Sequence, residues 1–251
     1  MKPTVEAGAD ASPADHYYYS ETRPNYARPS SPEALLAGRI PAFRRRYLPL
    51  LPIDRKAAIL DIGCGCGEFI YFLQREGFQN ARGVDLDSRQ VLQGQSLGVR
   101  NLEAGHAEDV LQRSVESFDS IVAIDVLEHI PKAKIIEVLG LIRQALRVGG
   151  KLICQVPNLA AFYQPLFYMD FTHETPFTGS SLKQALQMAG FSNIHVYPAG
   201  PLTHGLKSSL RAVLWRSLSL GFRFVAAVQG GPQDELNSIY TAAIIAAAEK
   251  V

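Results

Sequence analysis

The sequence predicts a doubly wound α/β fold built on a mostly parallel sheet, and three observations predict it. Between residues 57 and 156, short apolar runs of strand length alternate with longer segments of helical periodicity, the pattern of parallel strands joined by crossover helices. The first run ends in a turn of alternating glycines, Asp61-Ile62-Gly63-Cys64-Gly65-Cys66-Gly67, where a first strand would pass into a first helix. The chain has 251 residues, 47% hydrophobic and 20% charged, enough for one substantial buried core.

In order along the chain, residues 1–30 are rich in Pro, Ser, Asp and Ala. The first dozen are expected to be mobile, whereas Tyr17, Tyr18, Tyr19 and Tyr26 are large enough to cover something. Ser31-Pro32-Glu33 reads as a helix start, with Ser31 as cap and Pro32 in the first turn. That helix is expected to reach about Arg46, with an interruption at Pro41, and its Arg44-Arg45-Arg46 run reads as a solvated face. Strands are expected at 57–62, 81–86, 99–103, 118–124 and 151–156, the shorter ones as buried parallel strands. Helices are expected at 68–74, from Ser88 and at 134–148, the last stopped by Gly149-Gly150. The tail adds a helix at 180–189, a strand at 193–197, a helix over 207–228 and a last strand at 240–248. Alanine favours helix in that last segment, so context alone makes it a strand. The division expected is a terminal segment with a cap helix, 1–50, and one domain, 51–251, with insertions at 157–178 and 200–235.

Composition narrows the function. With 25 Lys+Arg against 24 Asp+Glu there is no broad basic footprint for nucleic acid. Three cysteines, Cys64, Cys66 and Cys154, cannot build a disulfide framework and suit a reducing, cytoplasmic setting. No signal peptide is visible in the first ten residues. The uncharged stretches 152–169 and 184–206 are broken by Pro, Gly, Asn and Gln, so no transmembrane segment is expected.

Alternating glycines let backbone approach a ligand and point amide hydrogens at it. A dinucleotide fingerprint fails on spacing, because Glu68 and Ile70 stand where its third glycine belongs. Cys64 and Cys66 read as small side chains beneath a ligand rather than a metal pair. Asp85 follows Gly63 by 22 residues, within the range for an acid reaching a ribose from the next strand. The turn resembles the first motif of class I S-adenosylmethionine-dependent methyltransferases, in Asp61, Gly63, Gly65 and Gly67. The resemblance continues through Gly83-Val84-Asp85-Leu86, Gly105-His106-Ala107-Glu108-Asp109, the 118–129 segment and Leu146-Arg147-Val148-Gly149-Gly150-Lys151-Leu152. It implies a seven-stranded Rossmann-like sheet with an antiparallel last strand, and S-adenosylmethionine as cofactor. It also implies a binding set of Asp61, Gly63, Cys64, Gly65, Gly67, Asp85, Leu86, Ala107, Glu108, Asp125 and Val126. Leu86 and Ala107 would pack on adenine with Glu108 near its amino edge. His106 departs from the aspartate that many relatives carry.

Such an enzyme would run an in-line displacement in which alignment contributes on the order of 7–11 kcal/mol, and a hydroxyl acceptor would want a base such as histidine. His129 closes Asp125-Val126-Leu127-Glu128-His129, whose acids and histidine would share a face at i, i+3, i+4 if helical. That trio resembles the cation ligands of some ubiquinone-pathway O-methyltransferases, but no fourth ligand is evident, and no metal is expected. His173 lies in the 162–177 segment, which holds six aromatics. Its neighbour Asp170 could orient it or assist electrostatically, and His173 is favoured over His129 as the base. Residues 170–191 also resemble, more loosely, methyltransferases of bacterial cell-surface polysaccharide synthesis. The implied acceptor is a sugar hydroxyl of a glycan or of its lipid- or nucleotide-linked precursor. The alternatives are a small phenolic or quinone-like acceptor, and a cofactor-binding partner without chemistry. Lys207, Arg211, Arg216 and Arg223 either form a solvated helix face or meet a nucleotide-sugar or lipid-linked phosphate. The apolar residues among them, Val213 to Phe224, are expected in the core, with peripheral membrane contact as the weaker reading.

Overall fold

A computed structural model describes residues 30–162, 166–203, 205–231 and 235–251; the four N-terminal tyrosines and the first dozen residues lie outside them. Seven strands form one sheet in the order β3-β2-β1-β4-β5-β7-β6. They are β1 (Ile59–Ile62), β2 (Ala81–Asp85), β3 (Leu102–Ala104), β4 (Phe118–Ile124), β5 (Leu146–Pro157), β6 (Ser192–Pro198) and β7 (Ala243–Glu249). β3, β2, β1, β4 and β5 pair in parallel, while β7 runs antiparallel to both β5 and β6. The expected sheet, antiparallel last strand included, is the one observed.

Between the strands run α1 (Glu68–Arg75), α2 (Ser88–Ser96), α3 (Ala107–Gln112), α4 (Ile135–Ala145), α5 (Gly179–Met188) and α6 (Leu206–Gly230). Successive strand residues point to opposite faces, so β1 sends Leu60 and Ile62 into one core and Ile59 into the other. Leu139 and Ile142 of α4 and Leu182 and Leu186 of α5 close the first core. Phe69, Ile70, Phe72 and Leu73 of α1 close the second, with Phe43 and Tyr47 from the N-terminal segment. The sheet order reverses at β1 and β4, which makes the carboxyl ends of those strands the place for a ligand.

Several expectations need correction. The N-terminal helix breaks before Pro41: Pro32–Leu35, capped by Ser31, gives way at Gly38, whose φ is +73°. Helix resumes at Ile40, widens into a π-helical stretch over Phe43–Tyr47 and tightens into a 3-10 turn over Leu48–Leu50. The arginine run is only partly a solvated face. Arg44 pairs with Glu76 at 2.7 Å, Arg45 bonds Thr203, and Arg46 donates to the carbonyls of Ala199 and Gly200. α4 stops three residues early, because the buried Leu146 already pairs with Phe118 in the sheet. The alanine-rich β7 is a strand because it is buried on both faces between β5 and β6, where small side chains pack closely and burial overrides propensity.

α6 departs furthest. Of its 25 residues only Ser208 is buried. Leu210, Val213, Leu214, Leu218, Leu220 and Phe224 are all more than half exposed, so the expected core packing of this segment is not what forms. Among the described residues, no helix is long and apolar enough to cross a membrane.

Candidate active site

The turn after β1 is held by backbone hydrogen bonds and by the Asp85 carboxylate. Gly63 and Cys64 donate to the Val84 carbonyl at 2.8 and 3.1 Å, and Gly67 donates to Cys64 at 2.9 Å. Gly63, Gly65 and Gly67 have φ of +68°, +55° and +77°, a region costly for any residue with a Cβ. The three differ in surroundings. A Cβ on Gly63 would lie 2.4 Å from the Val126 side chain, and one on Gly67 would strike Leu102 and Val99. Gly65 has only the Gln90 amide oxygen nearby, at 3.0 Å. Its amide N–H donates to Asp85 at 2.7 Å, and Asp87 donates to the other Asp85 oxygen at 2.8 Å. The acid at the end of β2 is therefore fixed against the turn.

Cys64 is buried under this turn with its Sγ against Gly83. Burial pushes its thiol far up the pH scale and that of Cys66 to about 11, so neither is a nucleophile at neutral pH. Asp61 is 3% exposed, and burial, then the charges of Asp85 and Glu68, hold its carboxyl well above the usual carboxylate range. Leu86, half-exposed, follows β2, while Ala107 and Glu108 open α3, half-buried at the same edge of the sheet. After β4, Asp125 adopts φ +55°. Its carboxylate accepts from Gln155 at 3.0 Å, and the Gln155 oxygen accepts from the buried Tyr47 hydroxyl at 2.6 Å.

Gln155 thus holds Asp125, whose charge still acts on Glu128. Residues Leu127–His129 form a single 3-10 turn, and the partner it finds is the 166–177 segment. Glu174 and Thr175 both donate backbone N–H groups to the Glu128 carbonyl, at 2.8 and 3.0 Å, and the Thr175 hydroxyl donates to Ile130. This stacks the His129 and His173 rings edge to face, 4.7 Å apart. Nδ1 of His173 lies 2.8 Å from the Phe167 carbonyl, which can only accept, so that nitrogen carries the proton. The Thr172 hydroxyl donates to Asp170 at 2.7 Å and lies 2.9 Å from Nδ1 of His129. With its one proton committed, Thr172 must accept from His129, leaving Nε2 of His129 as the nitrogen able to take a proton. Asp170 reaches His129 through Thr172. It stands 3.9 Å from Nε2 of His173, too far for a hydrogen bond, and can act on that ring only electrostatically.

Glu128 is 1% exposed with neither carboxylate oxygen hydrogen-bonded, and Oε1 is 3.9 Å from Nε2 of His173. Burial first, then the charge of Asp125, pushes its carboxyl up to about 9. Ligand atoms of Glu128, His129 and His173 all fall within 4.8 Å of one another. The spacing of residues 125–129 flagged Glu128 and His129, and the third ligand-type side chain found within reach of both is His173. Thr172 carried no signal in the sequence at all, since its role needs two segments 43 residues apart to meet.

The sequence profile of the methyltransferase-domain family matches residues 35–196, well over half of the chain. The chain belongs to that family. Solved structures share the fold of this methyltransferase at low identity. A S-adenosylmethionine-dependent methyltransferase from Archaeoglobus fulgidus is 22% identical over 84% of this chain and 93% of its own, with a TM-score of 0.61. One from Mesorhizobium loti is 18% identical over 85% and 99%, at 0.58. Phosphoethanolamine N-methyltransferase 2 of Haemonchus contortus, in complex with S-adenosyl-L-methionine, is 18% identical over 94% and 59%, at 0.59. No curated protein matches the sequence. The methyltransferase is an enzyme, and its cofactor is S-adenosylmethionine. Its residues fit that group: Gly65 carries no Cβ to hold a ligand off the turn, and the buried Asp61 carboxyl is one that an arriving cation would ionise.

Proposed function

We propose that this methyltransferase O-methylates a sugar hydroxyl of a glycan or of its lipid- or nucleotide-linked precursor, with His129 as general base. In this reading Asp61, Gly63, Cys64, Gly65 and Gly67 hold the cofactor's amino-acid end, and Asp85 takes its ribose. Leu86, Ala107, Glu108, Asp125 and Val126 line its base and flank. When bound, S-adenosylmethionine supplies an electrophilic methyl on a sulfonium. The protein's part is to hold an acceptor oxygen in line and to remove its proton.

The observation that carries the reading is the chain Asp170–Thr172–His129, which fixes the His129 tautomer with Nε2 as acceptor. His173 serves this reading less well, because its side chain is 7% exposed with Nε2 turned toward the Glu128 and Asp170 carboxyls. It positions the His129 ring. Support for a sugar comes from the exposed rings of Phe162, Tyr168 and Phe171 on the segment over the site, since aromatic faces stack on sugars. Labelled donor incubated with glycan, phenol and quinone acceptors tests the class. His129→Ala is expected to lower turnover roughly 10²–10⁴-fold, and Thr172→Val to lower kcat with little change in KM. Unchanged turnover in His129→Ala overturns the base.

One observation favours a second reading, a cation-assisted O-methyltransferase of a phenolic or quinone-like acceptor. The unpartnered Glu128 carboxyl sits beside two histidines, and a divalent ion would ionise it. Activity abolished by chelator and restored by Mg²⁺ or Zn²⁺ would select that reading.

A further inference from the structure

The geometry points to α6 as a membrane-docking helix that lies on an anionic lipid surface. The helix runs about 37 Å and touches the rest of the protein along one narrow seam. Ala212, Trp215, Ser219, Phe222 and Ala226 are half-buried and recur at the three- and four-residue spacing of a single face. At 100° per residue, Leu206, Leu210, Val213, Leu220, Phe224 and Val228 project from the opposite side, each at least 57% exposed. A water-facing helix carries its polar residues there. Ser217 lies on the same side, but its hydroxyl bonds back to the Val213 carbonyl at 3.2 Å, which hides its polarity.

The charges select the occupant. Lys207 and Arg211 flank the apolar side on one edge, and Arg216 and Arg223 on the other, while the helix contains no acidic residue. An apolar stripe bordered by cations fits a bilayer interface with anionic headgroups, where the rings and leucines enter the acyl boundary and long basic side chains reach back to phosphates. A second copy fits poorly, because facing helices would bring two sets of like charges together with no acid between them. On the seam side the helix is anchored to the body, where Phe222 stacks on Phe162 with ring centroids 3.9 Å apart and meets Tyr240 edge to face, which leaves the opposite stripe turned outward.

Vesicle flotation of the full chain tests this and does not depend on the acceptor assigned above, since binding can be read while every acceptor assay fails. Mixed phosphatidylglycerol–phosphatidylcholine vesicles are expected to carry the protein, phosphatidylcholine alone far less, and added salt to release it. Arg216→Gln should weaken partition about fivefold, and Phe224→Glu by roughly tenfold or more, with both variants keeping the wild-type circular dichroism spectrum. No flotation with the anionic vesicles, or flotation indifferent to Phe224→Glu, overturns the proposal. So does a concentration-dependent dimer, seen by light scattering, that the same substitution dissolves.

Discussion

Glu128 is the residue at which burial and charge conflict most plainly. Burial, then the charge of Asp125, pushes its carboxyl up to about 9 from an ordinary 4.5, so the folded state keeps a proton that the unfolded state gives up. The contribution is therefore fully present below about pH 4.5, declines as the pH rises, and is lost by about pH 9. Over that window stability falls by at most about 1.4 kcal/mol per pH unit from this group. Glu128→Gln keeps the shape and removes the titration. Thermal melts in chelator should show wild type and variant alike near pH 4.5, with the variant increasingly more stable toward pH 9. Parallel curves would show that the carboxyl is not holding its proton. Cys154, fully buried and pushed up to about 12 from an ordinary 9.0, adds to the fall only as the pH comes close to 9.

At the scale of elements, the glycine turn is where local conformation and the site are the same thing. Gly63→Ala places a Cβ at φ +68° and within 2.4 Å of Val126, and Val126 belongs to the segment leading to His129. The substitution should cost on the order of 1–3 kcal/mol in stability and abolish S-adenosylmethionine binding in calorimetry. Retained affinity would mean that the β4 segment gives way freely. Elements of this kind were legible in the sequence wherever one local rule decided them. The alternating apolar runs gave β1, β2 and β4, and Ser31 with Pro32 marked a helix start. Legibility ended where a tertiary partner decided. α4 ends at Ala145 because Leu146 pairs with Phe118, not because of the glycines beyond it. The 3-10 turn at Leu127–His129 has no periodicity to detect, and nothing local shows that His173 comes in from another segment to meet Glu128 and His129. In α6 the apolar residues were visible, but the sequence does not say which way a helix turns its greasy side.

At the scale of the whole molecule, near-neutral net charge and a plain composition conceal an uneven distribution. The cofactor turn gathers Asp61, Glu68, Asp85 and Asp87, whereas α6 is wholly basic. The sheet is uneven in a different sense. β7 is last in chain order yet lies between β5 and β6, its register running from Lys151↔Glu249 to Pro157↔Ala243 on one side and from Ser192↔Glu249 to Pro198↔Ile244 on the other. As the chain leaves the ribosome, β1 to β5 can pair as they emerge, but β6 must wait through some 45 further residues for the neighbour that joins it to the sheet. Until then β5 presents an open edge, the hazard that draws stray strands and chaperones. A chain stopped before Ala243 should therefore bind the cofactor through a turn that is already built and yet aggregate, with β6 digested first by protease, so that in the cell the last strand made decides whether the earlier ones were worth keeping.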